Sequence, residues 1–382
     1  MINRALLIAI SYRGSSAELR GCVSDQERLY DYLKSCSPNC EIRVLCDDRR
    51  IRTPVYATPT KYNILRQIEW LVSGANSNTH VWISYSGHGG TQRSSPMRAA
   101  PLQWRKRNLK HAPFPVDDQE TFVMTKHNSD AAQAAYVAET HVLASTDRSA
   151  ALERWGGRRP TGNTKKGRAE QEEIDNRDET IVPCDFERRG QITDDVLRKR
   201  LVDALPEGSK MTAFFDSCHS GTVLDLRYNW TDADVSSRNP VIAKSEHNAI
   251  PTSKAQVLML SGCLDNQTSA DAFIDNKFCG ATTQAFLHHM RRLARETKAA
   301  AVAAQRKKDE EKESVAAESK QSGSRDFGDK LINDGNLDTL DELLHAMNQW
   351  MYDNDFSQRP QISLGRNELV DAAIETFFPL IE

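Results

Sequence analysis

The sequence predicts an α/β fold, a mostly parallel central sheet with helices on both faces plus long insertions. Six short apolar runs have the length and the β-branched or aromatic content of buried strands: RALLIAI (4–10), IRVLC (42–46), HVWISYS (80–86), MTAFFDS (211–217), AQVLMLSG (255–262) and QISLG (361–365). Helix-like segments at 24–34, 61–72, 194–204, 281–296 and 337–351 fall between them, and such alternation argues for parallel strands joined by covering helices. The rhythm breaks in two places, 91–170 and 297–325, which marks insertions. With 382 residues the chain is long enough for one large α/β domain with insertions, or for two average domains.

Taken in order, ALLIAI reads as a first strand rather than a signal peptide, because the apolar run is short and no small-residue cleavage site follows it. Ser24-x-x-Glu27 has the form of a capping box opening the first helix, with Asp25 where a carboxylate meets the helix dipole. Residues 91–170 carry 14 Lys/Arg against 8 Asp/Glu, with Pro, Gly, Ser and Ala throughout, and are expected to form a basic, mobile insertion. Thr193 has the form of an N-cap, with Asp194 and Asp195 in the first helical turn. Residues 231–253 are expected to be a short junction. The Ala- and charge-rich stretch 297–325, within an excursion spanning 297–330, reads as an exposed helix or a disordered segment.

Composition narrows the function classes. A net charge of −3 gives no reason to expect nucleic acid as the main partner. No apolar run approaches a membrane span, so no membrane partner is expected and the cytoplasm is the default location. Eight cysteines are scattered without a C-x-x-C pair. Cys36, Cys40 and Cys46 are close in sequence, but no histidine lies at finger spacing, so they are read as ordinary thiols in a reducing compartment.

The chemistry is concentrated in two stretches, VWISYSGHGG (81–90) and FFDSCHSG (214–221). Each is an apolar strand ending in polar residues and glycine, and ligands of open α/β sheets bind beyond the carboxyl ends of strands. If the two strands are parallel neighbours, His88 and Cys218 project from one edge and place a base beside a thiol. An adjacent imidazole favours the thiolate. The amides of Gly89 and Cys218 are candidate donors to an oxyanion. Taken singly, His88 would read as a loop histidine and Cys218 as a small buried hydrophobe; the matching contexts make catalysis an equal alternative. Asp216, two residues before Cys218, lies on the same strand face. A carboxylate there would destabilise a thiolate unless a cation, such as a basic substrate side chain, neutralised it.

YSGHGG followed by DSCHSG, with LRGCVSD before them and LSGCLDNQTSAD after them, resembles the metacaspases, cysteine peptidases of the caspase fold. The resemblance covers 1–90, 175–292 and 355–365 and implies a caspase-like fold. On it, 1–90 and 171–230 form a large-subunit-like catalytic region and 254–382 a small-subunit-like region. It implies that His88 and Cys218 are the catalytic dyad, with His219 a structural neighbour. Cys22, Asp25, Ser86 and Asp216 would surround a pocket for Arg or Lys. Asp178, Asp194, Asp195 and Asp225 match the family's calcium (Ca2+) ligands, with Glu179 and Asp185 nearby. The expected function is therefore a calcium-dependent cysteine endopeptidase that cleaves protein or peptide substrates after Arg or Lys, cleaves itself, and is monomeric. The alternatives are a catalytically weak caspase-fold scaffold or regulator, and a paracaspase-like Arg-specific peptidase without calcium dependence.

Overall fold

The computed structural model describes residues 1–93, 177–217, 221–233, 240–262, 271–274, 277–318, 339–369 and 372–380. The chain divides into two units, residues 1–91 with 178–382, and residues 92–177; the first carries the fold described below.

The chain opens with β1 (Arg4–Ala9), α1 (Cys22–Cys36), β2 (Glu41–Cys46), α2 (Lys61–Val72), β3 (His80–Ser86) and β4 (Gly89–Arg93). After residue 176 come β5 (Arg177–Ile181), α3 (Phe186–Arg189), β6 (Ile192–Thr193), α4 (Asp194–Leu197) with a π-helical turn at 198–202, and β7 (Lys210–Asp216). The C-terminal part holds β8 (Tyr228–Asp232), β9 (Ile242–Glu246), β10 (Gln256–Ser261), the hairpin β11 (Asp271–Ile274) and β12 (Lys277–Gly280), α5 (Ala281–Glu318), α6 (Leu340–Asp353) and β13 (Gln361–Leu364).

Eight strands form one sheet in the order β2-β1-β3-β7-β10-β13-β8-β9. The first five are parallel, and β13, β8 and β9 continue it antiparallel. All six expected strands are present in this sheet. The short junction expected at 231–253 holds the end of β8 and all of β9, which widen the sheet by antiparallel pairing. Neither strand has an apolar run, since β9 is exposed along most of its length.

Strand geometry explains why both faces are covered. Ala5, Leu7, Trp82, Phe214, Leu258 and Leu260 share one core with Leu29 and Leu33 of α1, Phe286 of α5 and Met347 of α6. The alternate residues Leu6, Ile8, Ile83, Tyr85, Met211 and Phe215 are also buried, as are Ile64, Ile68 and Leu71 of α2. With a side-chain period of two, burial of both sets means that both sheet faces are packed. Phe286 stands 5.3 Å from Phe214 and 5.0 Å from Phe378, centroid to centroid. Truncating such a side chain costs about 3–5 kcal/mol, so this cluster is what fixes the start of α5 over the sheet.

Two capping expectations are corrected. Helix α1 begins at Cys22 behind Gly21 with no side-chain cap, so Ser24 is already inside it, and Glu27 instead accepts from the backbone and Nε of Arg52. Thr193 stands at the N-cap position of α4 but makes no capping hydrogen bond. A reciprocal box does exist at α6, between Thr339 and Glu342. The Ala-rich stretch continues α5 as an exposed helix over 297–309.

Candidate active site

Strands β3 and β7 are parallel neighbours, and Ser86 lies in register with Asp216. His88 follows Ser86 by two residues. Cys218 and His219 lie outside the described residues; the strand leading to them is described as far as Ser217. The His88 backbone is held on both sides. Its N–H donates to Tyr12 Oη at 3.1 Å, and its carbonyl accepts from Tyr85 Oη at 2.7 Å and Val182 N–H at 3.2 Å. On the ring, Nε2 is 2.8 Å from the Ala17 carbonyl. A carbonyl only accepts, so the proton sits on Nε2 and Nδ1 carries the lone pair of the neutral ring. Gly89 is buried and opens β4.

Of the residues expected around a basic pocket, Asp25 and Asp216 meet at one glycine, and Ser86 lies in register with Asp216 on the neighbouring strand. Asp25, in the first turn of α1 and 2 % exposed, accepts the Gly280 N–H at 2.8 Å. Asp216, at the end of β7 and 5 % exposed, accepts from Thr283 twice through Oδ2, from N–H at 3.0 Å and Oγ1 at 2.9 Å. A β-carbon placed on Gly280 would stand 2.1 Å from Asp216 Oδ2 and 3.0 Å from Asp25 Oδ2. Both carboxylates therefore converge on this glycine. Gly262 packs against the other oxygen, with a β-carbon there 2.8 Å from Oδ1. The Ser86 hydroxyl accepts from Gln26 Nε2 at 2.9 Å, while Gln26 Oε1 accepts from Ser84 at 2.5 Å, tying α1 to β3. Cys22 is buried at the head of α1. Burial, then the Asp25 charge, push the Cys279 thiol up to about 11, so it stays neutral beside the carboxylates. Two buried carboxylates closing on one glycine repel each other and favour a cation between them.

Gly280, Thr283, Gly262 and Gln26 are site residues that the sequence did not single out. The signal available was CGATT (279–283), a glycine directly before a helix whose first-turn amides attract a carboxylate.

The acidic set divides. Asp178 on β5 and Asp194 and Asp195 at the start of α4 bring carboxylate oxygens within 4.8 Å of one another, and no other such group of three occurs among the described residues. Asp194 accepts the Glu179 N–H at 2.8 Å and the Asp195 N–H at 2.6 Å. Its carboxyl is nevertheless pushed up to about 6, first by burial, with the Asp178 charge adding to it. Asp225 is not in this cluster: it sits in a left-handed conformation (φ 46°), and its carbonyl accepts from Arg198. Arg198 also bonds Asp203 at 2.9 Å and the Pro251 carbonyl at 2.9 Å, which anchors the Asp225 turn. Asp185 accepts from the Lys61 N–H at 2.7 Å. The clustered donors are all carboxylate oxygens, the set that suits a hard cation such as calcium rather than zinc.

A family model described as metacaspase, peptidase C14 domain, matches residues 3–135 and 161–227. Metacaspase-1 of Candida glabrata is 29% identical over 330 residues, covering 76% of this chain and 64% of the relative. Metacaspase-1 of Saccharomyces cerevisiae is 27% identical over 330 residues, covering 75% and 59%. The chain thus spans less than two thirds of the length of these curated relatives.

Proposed function

Because the chain belongs to the metacaspases, a family of cysteine-type endopeptidases, we propose that it is a calcium-dependent cysteine endopeptidase that cleaves proteins after Arg or Lys. The observation that carries the specificity is the convergence of Asp25 and Asp216 on Gly280 at the end of β7. A guanidinium or ammonium entering there replaces carboxylate repulsion with charge-assisted hydrogen bonds. An acidic side chain would meet two like charges.

In this reaction His88, with Nε2 held by Ala17, accepts the Cys218 thiol proton at Nδ1. The thiolate attacks the scissile carbonyl, and the amides of Gly89 and Cys218 stabilise the oxyanion. The imidazolium then protonates the leaving amine, and a water deprotonated by His88 hydrolyses the thioester. Asp178, Asp194 and Asp195 would hold calcium, with Asp225 outside the set. When bound, the ion supplies positive charge to carboxylates that otherwise repel one another.

Six described cysteines are free thiols, and among the described residues no helix is long and apolar enough to cross a membrane. The free thiols support a cytoplasmic location. The outer strand β9 carries exposed Lys244 and Glu246, and charged edge strands resist pairing with another chain, which supports a monomer.

The test is hydrolysis of short fluorogenic peptides ending in Arg, Lys or Asp, by wild type and Cys218→Ala, with calcium and with chelator. Cleavage after Arg and Lys only, lost in Cys218→Ala and in chelator, is the expected result. Activity that survives Cys218→Ala removes the mechanism, and cleavage after Asp instead of Arg removes the pocket.

A further inference from the structure

One residue touching His88 has no part in the chemistry above. Tyr12 lies three residues beyond the end of β1, in a left-handed conformation (φ 48°) that a residue with a β-carbon seldom adopts. Two neighbouring amides are gripped there by one side chain: Asp47 Oδ1 accepts from Ser11 N–H and Asp47 Oδ2 from Tyr12 N–H, each at 2.7 Å. The conformation that results turns the tyrosine ring under the imidazole, with centroids 4.8 Å apart and planes inclined by 39°. The same residue reaches the backbone of His88, since Tyr12 Oη accepts the His88 N–H at 3.1 Å and donates to the Val182 carbonyl at 2.5 Å. Tyr85 Oη lies 3.2 Å from Tyr12 Oη and donates to the His88 carbonyl. The chain just ahead of His88 rests on this tyrosine pair. A β-carbon on Gly87 would stand 2.6 Å from Tyr85 Oη and 3.2 Å from Tyr12 Oη.

We propose that Tyr12, pinned by Asp47, is a positioning residue for His88, fixing both the ring and the peptide that carries it. The proposal rests on His88 acting as the base of the dyad. A tyrosine needed only to fill the core would not require a left-handed backbone or a carboxylate clamp, and strained backbone of this kind persists where surrounding contacts over-determine it. Ala17 fixes which ring nitrogen carries the proton. Tyr12 fixes where the ring stands.

Two variants test this independently in the full chain. Tyr12→Phe keeps the ring beneath His88 and removes the hydroxyl. Asp47→Asn keeps the Tyr12 side chain intact and weakens the grip on the two amides that sets its position. On an Arg peptide, each should lower kcat by about tenfold with KM nearly unchanged, measured where circular dichroism shows the variant folded, since sub-ångström misplacement of a reacting group is enough for such losses. The pH profile of iodoacetamide labelling at Cys218, followed by mass spectrometry of its peptide, should lose the low-pH reactivity that an adjacent imidazole confers. Wild-type kcat and labelling in both variants would overturn the proposal, as would a loss confined to KM. If His88→Ala is as active as wild type, the dyad itself fails; if His88→Ala is inactive but both variants behave as wild type, only the positioning role fails.

Discussion

Substituting Gly280 by alanine tests the pocket by adding a single methyl group. The new β-carbon would lie 2.1 Å from Asp216 Oδ2 and 2.6 Å from its Cγ, far inside van der Waals contact. The carboxylate has little room to retreat, because its other oxygen is packed against Gly262. Rotation away from Gly280 gives up both hydrogen bonds from Thr283. Hydrogen bonds to a charged acceptor are worth roughly 1.5–3 kcal/mol each. Losing both, with partial recovery through water, leaves a deficit on the order of 3–5 kcal/mol, or about 10²–10⁴-fold in kcat/KM for Arg peptides at 1.36 kcal/mol per tenfold. The assay is kcat/KM on Arg and Lys peptides, with the labelling rate of Cys218 as a control for an intact nucleophile. Combining Gly280→Ala with Asp216→Ala should add little to the loss caused by Asp216→Ala alone, because both act on the same carboxylate. Near-wild-type turnover of Arg peptides by Gly280→Ala would show that Asp216 does not contact the basic side chain.

His88→Ala should slow peptide hydrolysis by about 10²–10⁴-fold, the range of general-base help, while leaving the melting temperature close to wild type; an unchanged rate would exclude it as the base. Asp194 gives a pH dependence. Its carboxyl is raised from the ordinary 3.8 to about 6, so its contribution to calcium-free stability is fully present below about pH 4 and is lost as pH rises through about 6. Bound calcium needs the deprotonated form, so the calcium-induced rise in melting temperature should be large at pH 7.5 and small below pH 6; equal rises would refute a site at Asp194. Arg105-Lys106-Arg107 and Lys165-Lys166 offer basic cleavage sites, so mass spectrometry after calcium treatment should find new termini within 91–170 or 297–330 that are absent from Cys218→Ala. An active chain that stays intact would show that self-cleavage is not required.

What could be read from the sequence depended on whether a feature was local. HVWISYS and MTAFFDS announce buried strands because every side chain in them meets a packed face. The clusters after them are legible as a site because polar residues there interrupt an apolar pattern. Strand β9 escaped because IAKSE packs on one side only weakly and leaves four of its five residues exposed. The pairing of Ser24 with Glu27 misled for a related reason: the spacing fits a capping box, but Glu27 finds a stronger partner in Arg52, 25 residues away. Gly280 was invisible because its role exists only once Asp25 and Asp216 stand on either side of it. The acidic residues gave composition without arrangement, and the fold alone separates Asp225 from the three that cluster.

That glycine has a consequence for when the protein becomes an enzyme. Asp25 receives its amide from a residue 255 positions downstream, and Asp216 receives its donors from one 67 positions downstream. At about 5–20 residues per second, synthesis leaves Asp216 without Thr283 for roughly 3–13 s after it is made. During that interval the nascent chain already contains His88 and Cys218 but lacks the donors that hold Asp25 and Asp216. On the proposed reading, the pocket for a basic side chain would therefore assemble only after residue 283 has been made.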